Sequence, residues 1–123
     1  MRARLIAIAS LTTVLAAISA TPAVAAERSC GWTNVVKYPY HVQIIHGSVS
    51  CHEARWLIKT YGEGGGTFHG GRMRSQSEMY STLPGGWICV SGAGGAHVCS
   101  LGKRADPRDV VSGIEKLEWE RFH

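Results

Sequence analysis

Apolar and polar positions alternate from Val36 to His46. Val36, Tyr38, Tyr40, Val42, Ile44 and His46 fall on one side of an extended chain, and Lys37, Pro39, His41 and Gln43 fall on the other. Pro39 has no N–H to give to a sheet ladder, so either the strand lies at an edge or its regular part starts near His41. The pattern predicts a strand over His41–His46, with His41 and His46 on opposite faces. The period then lengthens. Ser50-Cys51-His52-Glu53 has the form of a capping box, in which the serine oxygen accepts a first-turn N–H and Glu53 reaches back to the cap. Cys51, Ala54, Leu57 or Ile58, and Tyr61 recur at helical spacing, and Gly62 offers a left-handed stop. A helix is therefore predicted from Cys51 to Tyr61, with its apolar face packed on the sheet.

Beyond it, periodicity fades. Gly64-Gly65-Gly66, Gly70-Gly71 and Pro84-Gly85-Gly86 bracket a polar stretch, read as a glycine-rich loop over 62–86. Trp87-Ile88-Cys89-Val90 and Ala96-His97-Val98-Cys99 flank Ser91-Gly92-Ala93-Gly94-Gly95, which predicts a hairpin with a glycine turn. Trp87 should pack on the core. Residues 106–123 form a charged tail. Asp106-Pro107 can start a helix, with Val110, Ile114 and Leu117 on one face, whereas Leu117-Glu118-Trp119-Glu120 alternates like a strand. The shared face favours the helix and puts Trp119 on its polar side.

The start of the chain adds a destination. Arg2 and Arg4 precede an uncharged apolar run from Leu5 to Ala20, then Thr21-Pro22 and the small residues Ala23-Val24-Ala25-Ala26. This reads as a signal peptide over 1–26, removed on export. The run falls short of the ~20 residues a spanning helix needs, so no stable membrane anchor is expected and the protein is expected to be secreted. Export also changes the charge. Of thirteen Lys and Arg, two belong to the signal, leaving eleven against nine Asp and Glu. No Lys/Arg stripe alternates with aromatics, which speaks against nucleic-acid binding. A mildly basic body over 27–105 leaves attraction to anionic wall polymers open.

All four cysteines, Cys30, Cys51, Cys89 and Cys99, follow the signal. An even number in a small exported domain predicts two disulfides. Three pairings are open, and proximity along the chain favours Cys30–Cys51 with Cys89–Cys99. No two cysteines stand at zinc-ligand spacing, so no metal or other cofactor is expected.

These landmarks carry a resemblance. Cys30-Gly31, Val49-Ser50-Cys51-His52-Glu53-Ala54-Arg55, Gly86-Trp87-Ile88-Cys89 and His97-Val98-Cys99 resemble the small secreted four-cysteine proteins of actinobacterial type, over about Cys30 to Cys99. The resemblance implies an α+β fold, a disulfide-stapled domain over 27–105 with one helix on a short antiparallel sheet. It implies little about activity, and neither the glycine-rich insert nor the tail belongs to the usual pattern.

Candidate chemistry is sparse. The six histidines are scattered along the chain, and a site from His46, His52, His97 and Glu53 could form only through the fold. Adjacent His52 and Glu53 point about 100° apart on a helix and do not face one substrate atom. Glu53, Arg55 and His97 could take the roles of a small secreted hydrolase, nuclease- or glycosidase-like, but no hydrolase motif is present. A proteinase inhibitor using the glycine-rich segment is a further alternative. Exposed tryptophans are more informative, because indoles anchor proteins and sugars. Trp56 lies off the helix's main apolar face, and Arg72-Met73-Arg74 is the one dense basic spot. The leading expectation is a non-catalytic extracellular binding domain that contacts a protein or cell-envelope polymer through Trp56, Trp119, Arg72 and Arg74.

Overall fold

The structure, a computed structural model, describes residues 27–70, 79–92 and 95–123. The segment read as an export signal, Arg72 and Arg74, and Ala93-Gly94 of the predicted glycine turn lie outside the described residues. The chain folds as β1 (Arg28–Val35), β2 (Tyr38–His46), α1 (Cys51–Gly62), β3 (Thr67–His69), β4 (Tyr80–Leu83), β5 (Trp87–Ser91), β6 (Ala96–Lys103), β7 (Asp106–Glu115) and α2 (Lys116–Phe122). The class is α+β. The strands make one antiparallel sheet in the order β1-β2-β7-β6-β5-β4-β3.

α1 covers one face of this sheet. Alternation along β2 turns Tyr40, Val42 and Ile44 toward the helix, where they meet Ala54, Leu57 and Ile58. Val35, Leu83, Trp87, Cys89, Cys99 and Val111 complete the same core. Space above β7 is set by a glycine: a Cβ at Gly113 would collide with the Ile58 side chain. The helix therefore sits closer to the sheet than any other residue at 113 would allow. Both disulfides lie in this layer. Cys30–Cys51 ties β1 to the first turn of α1, and Cys89–Cys99 joins directly opposed residues of β5 and β6, whose Cα atoms are 4.0 Å apart. A cross-link closing a loop of this order stabilises a small domain by about 3 kcal/mol in the chain-entropy account.

The predicted helix starts as expected, with Ser50 Oγ accepting from Glu53 N–H at 3.1 Å. It ends later. Gly62 is still helical, Glu63 caps it, and the left-handed residue is Gly64. Before β2 stands a strand that alternation alone did not delimit. β1 runs from Arg28 and turns at Val36-Lys37, with Val36 at φ +57°, an uncommon conformation for a β-branched residue. Glu63 holds that turn by accepting from Val36 N–H at 3.3 Å. Pro39 lies beside the turn, opposite Asn34, and pairing of β2 with β7 begins one residue later at Tyr40.

Two segments differ from expectation. The stretch 62–86 contains β3 and β4, which extend the sheet, so it is not a loop throughout. Residues 106–123 are not a detached tail either: Asp106–Glu115 is a strand between β2 and β6, inside the sheet, and only Lys116–Phe122 is helical. The helical spacing of Val110, Ile114 and Leu117 was outweighed by the gain from filling a slot between two strands.

Gly113→Ala tests how tightly α1 is set. Alanine in a strand interior is ordinarily neutral or helpful, but overpacking against Ile58 should cost about 1–3 kcal/mol. Urea denaturation of the oxidised protein should show a lower midpoint; an unchanged midpoint would mean that the helix can slide to make room.

Candidate functional site

The outer side of α1 and the neighbouring edge strand β1 form the most built surface. His52 and Trp56 stand one turn apart on the helix, as do Arg55 and Lys59, so two rows of side chains run side by side. With Thr33 of β1 they line a groove of about 240 Å³. The Trp56 indole is 43% exposed there, because its position on α1 is off the Ala54-Leu57-Ile58 face.

Arg55 and Lys59 have a second task. Asn34 faces Pro39, which has no N–H, so Asn34 points its backbone groups outward to the edge of the sheet. Lys59 Nζ donates to the Asn34 carbonyl at 2.8 Å, and Arg55 Nη1 donates to the Cys30 carbonyl at 2.9 Å. Two edge carbonyls of β1 are thereby occupied by cations from the helix, a device that blunts strand addition. Lys59 also pairs with Glu63 at 2.9 Å. The hydrogen bond from Lys59 holds the Glu63 carboxyl below the usual carboxylate range, with help from the Val36 N–H.

The second cluster occupies the opposite face. His41 points away from α1 and is only 7% exposed. Its Nε2 lies 3.0 Å from Ser29 Oγ, and Trp32 meets its ring edge-on at 5.1 Å between centroids. Trp119 of α2 stacks on it at 3.7 Å, and His123 stacks on the far side of Trp119 at 3.7 Å. Trp119 thus faces the sheet rather than the polar side of its helix. This also separates the expected contact residues: Trp56 and Trp119 lie on opposite faces of the sheet and form no common surface. Trp87 is in the core, as expected. The bulge between Ile44 and His46 overturns another expectation. It brings His46 opposite Val110 while His41 lies opposite Ile114, so both histidines share the open face. Their partners still stand four steps apart on β7, about 13 Å along a strand.

No protein-family model, curated protein or solved structure matches the chain. Function must be read from geometry.

Catalytic arrangements fare poorly by that measure. Glu53 stands at the first turn of α1 and His97 packs near its last, beside Tyr61 and Gly62. The eight residues from Glu53 to Tyr61 span about 12 Å of helix axis. Ser91 Oγ does lie 3.3 Å from His97 Nδ1 and 2.8 Å from Tyr61 OH. However, burial pushes the His97 pKa down, and no carboxylate hydrogen-bonds its ring among the described residues to stabilise an imidazolium. The network ties the β5–β6 hairpin to α1. A larger groove of about 490 Å³ runs past Ser48, Ser50, Glu53, Trp87 and Arg108 to the buried Asp109. Burial raises the Asp109 pKa, but hydrogen bonds from Arg108 and the Ser48 N–H, with the Arg108 charge, outweigh it and hold the carboxyl low. That carboxylate braces the turn after β2. Among the described residues, no three His, Cys, Asp or Glu side chains converge to hold a metal ion.

The edge-covering role of Arg55 and Lys59 escaped sequence reading, although their spacing of four was visible. His41 left no such signal, because its partners come from β1 and α2.

Replacing both Arg55 and Lys59 by methionine keeps helix propensity and uncovers the β1 carbonyls. The double variant should self-associate with rising concentration in sedimentation velocity, where the parent stays at one species. A variant sedimenting like the parent would show that the edge needs no cover.

Proposed function

We propose that this protein is an exported, non-catalytic binding domain whose contact surface is the Trp56 groove and whose ligand is an anionic polymer of the cell envelope. The observation that carries the reading is an indole 43% exposed in a groove rimmed by His52, Arg55 and Lys59. A flat ring can lie against a sugar face, and the cations can meet carboxylate or phosphate groups along the chain. Arg55 and Lys59 keep unused donors after covering the β1 carbonyls, since a guanidinium offers five and an ammonium three. A groove of this size suits one or two residues of a polymer better than the broad, flat patch of a stable protein–protein interface.

Export is supported by the signal-like residues 1–26 and by both disulfides, which persist in oxidising surroundings. No helix among the described residues is long and apolar enough to cross a membrane. The basic balance of 27–105 adds weak long-range attraction to an anionic wall. Arg72 and Arg74 belong to the same basic body and would add to that attraction. A hydrolase has less in its favour, because Glu53 and His97 sit at opposite ends of α1.

Co-sedimentation with purified envelope polymers tests this directly. Binding should be retained by polymers carrying phosphate or carboxylate and weaken as salt rises. Trp56→Ala should reduce affinity by about tenfold or more with an unchanged circular dichroism spectrum, while Trp119→Ala binds as the parent does. Equal binding by Trp56→Ala rejects the groove. Retention on neutral glycan, or on a protein at high salt, rejects the anionic-polymer class.

A further inference from the structure

α2 is held to the body by an unusual contact. The helix has seven residues, none of them buried, and its N-cap Glu115 makes no capping hydrogen bond through its side chain. Leu117 and Phe122 are 71% and 74% exposed, so the helix brings little apolar surface to its dock. What it brings is Trp119, slotted between His41 and His123 with ring planes 23° and 10° from parallel. Beneath the indole, His41 has one satisfied nitrogen. Nε2 has Ser29 Oγ, but the buried Nδ1 has no hydrogen-bond partner.

That orphan decides which form of His41 fits. A neutral imidazole can donate Nε2–H to Ser29 and leave Nδ1 as a bare lone pair, which is tolerable against rings. An imidazolium would place a charged N–H where nothing accepts it. We propose that α2 is an acid-released cover, docked on the open face of the sheet while His41 is neutral and detached when His41 takes up a proton.

Among the described residues no side-chain carboxylate pairs with His41. From β1, Ser29 and Trp32 face His41, and the Arg28 guanidinium is turned away to the Val49 carbonyl. From β7 the cross-strand neighbour is Ile114, while Glu115 acts on Tyr40. From α2 come Trp119 and His123; Lys116 pairs with Glu120, and Glu118 with Arg121, along the helix. Burial first, and repulsion from His123 second, hold the His41 pKa below its ordinary value of 6.5. The sign follows. With α2 detached, His41 loses the indole's cover and the repulsion from His123, and so binds protons more readily than in the docked state. Docking is therefore at full strength above pH 6.5 and weakens as pH falls toward the docked pKa. Release uncovers the rings of His41 and Trp119.

Hydrogen exchange of the whole oxidised protein reads this without a ligand. Corrected for intrinsic rates, protection of amides 119–122, the ones that can bond within α2, should fall about tenfold between about pH 7.5 and about pH 5, while amides in the centre of β7 stay protected. His41→Gln should remove the pH dependence, and Trp119→Ala should leave the segment unprotected at both values. His97→Gln, on the other face, should leave the response intact. Ring nitrogen shifts of His41 give the same decision in the unmodified protein: its second proton must arrive over the span in which α2 loses protection. Protection that does not change with pH, a response that survives His41→Gln, or a His41 that charges beneath a still-protected α2 each overturns the proposal.

Discussion

The contact between Ile58 of α1 and the bare backbone at Gly113 of β7 sets the plan of the molecule. It lets one helix lie low across the middle of the sheet, so that a single layer of side chains from β1, β2, β4, β5, β6 and β7 closes the core beneath it. α1 is the one long helix among the described residues, and it covers one face. The other face is left to a short helix and a stack of rings. The same placement brings the first turn of α1 against β1, where Cys30–Cys51 locks it, and lays Arg55 and Lys59 along the outer carbonyls of that strand. The groove around Trp56 follows from this arrangement: its floor is the seam between helix and edge.

Two histidines, His41 buried and His97 partly buried, show what the asymmetry of the faces means for charge. His97, on the helix face, is pushed toward neutrality by burial, but its Nδ1 is engaged with Ser91 and its ring packs against Tyr40 and Tyr61. His41, on the open face, is pushed the same way and has a nitrogen with no partner. Acid disfavours both environments, because the unfolded chain binds a proton more readily than either site. The elements above them differ. α1 contributes Ala54, Leu57 and Ile58 to the core and is cross-linked to β1, so it leaves only when the domain unfolds. α2 buries no residue and carries no cross-link. Proton uptake on the open face therefore has an outlet short of unfolding.

Local signals were legible in the chain, and partnerships between distant segments were not. Ser50, the Ala54-Leu57-Ile58 spacing and the glycine-separated pair Cys89–Cys99 act within a dozen residues, and their elements stand where the pattern puts them. The pairing Cys30–Cys51 with Cys89–Cys99 is also the local one. β7 was misread because Val110, Ile114 and Leu117 satisfy a helical spacing, while the reason for a strand there lies in β2 and β6, far away in sequence. β3 and β4 are short, and glycines on either side mask their alternation. The bulge at Gly31 is a similar case: its φ of +71° shifts the register so that Cys30 faces α1 and Trp32 faces His41, which no alternation rule anticipates. Trp56 was recognisable as an off-face residue on a secure helix. Trp119 was not, because its orientation depends on where β7 ends and α2 turns back.

The two surfaces lie back to back across β1. Thr33 faces the Trp56 groove and Trp32, its neighbour in the strand, packs edge-on to His41 on the other side. A ligand in the groove touches α1 and Thr33, and α1 in turn packs on β2 and β7, which carry His41 and lead into α2. β1 is pinned at both ends of the relevant stretch, by Cys30–Cys51 and by Lys59 on the Asn34 carbonyl. A strand held in this way transmits little displacement, and coupling between two sites requires an element with two arrangements that both can bias. The geometry thus separates a permanently open groove on the helix side from a covered ring cluster on the other. On the binding reading proposed above, a ligand in the groove would stay in place through a change of pH while the opposite face responds to it.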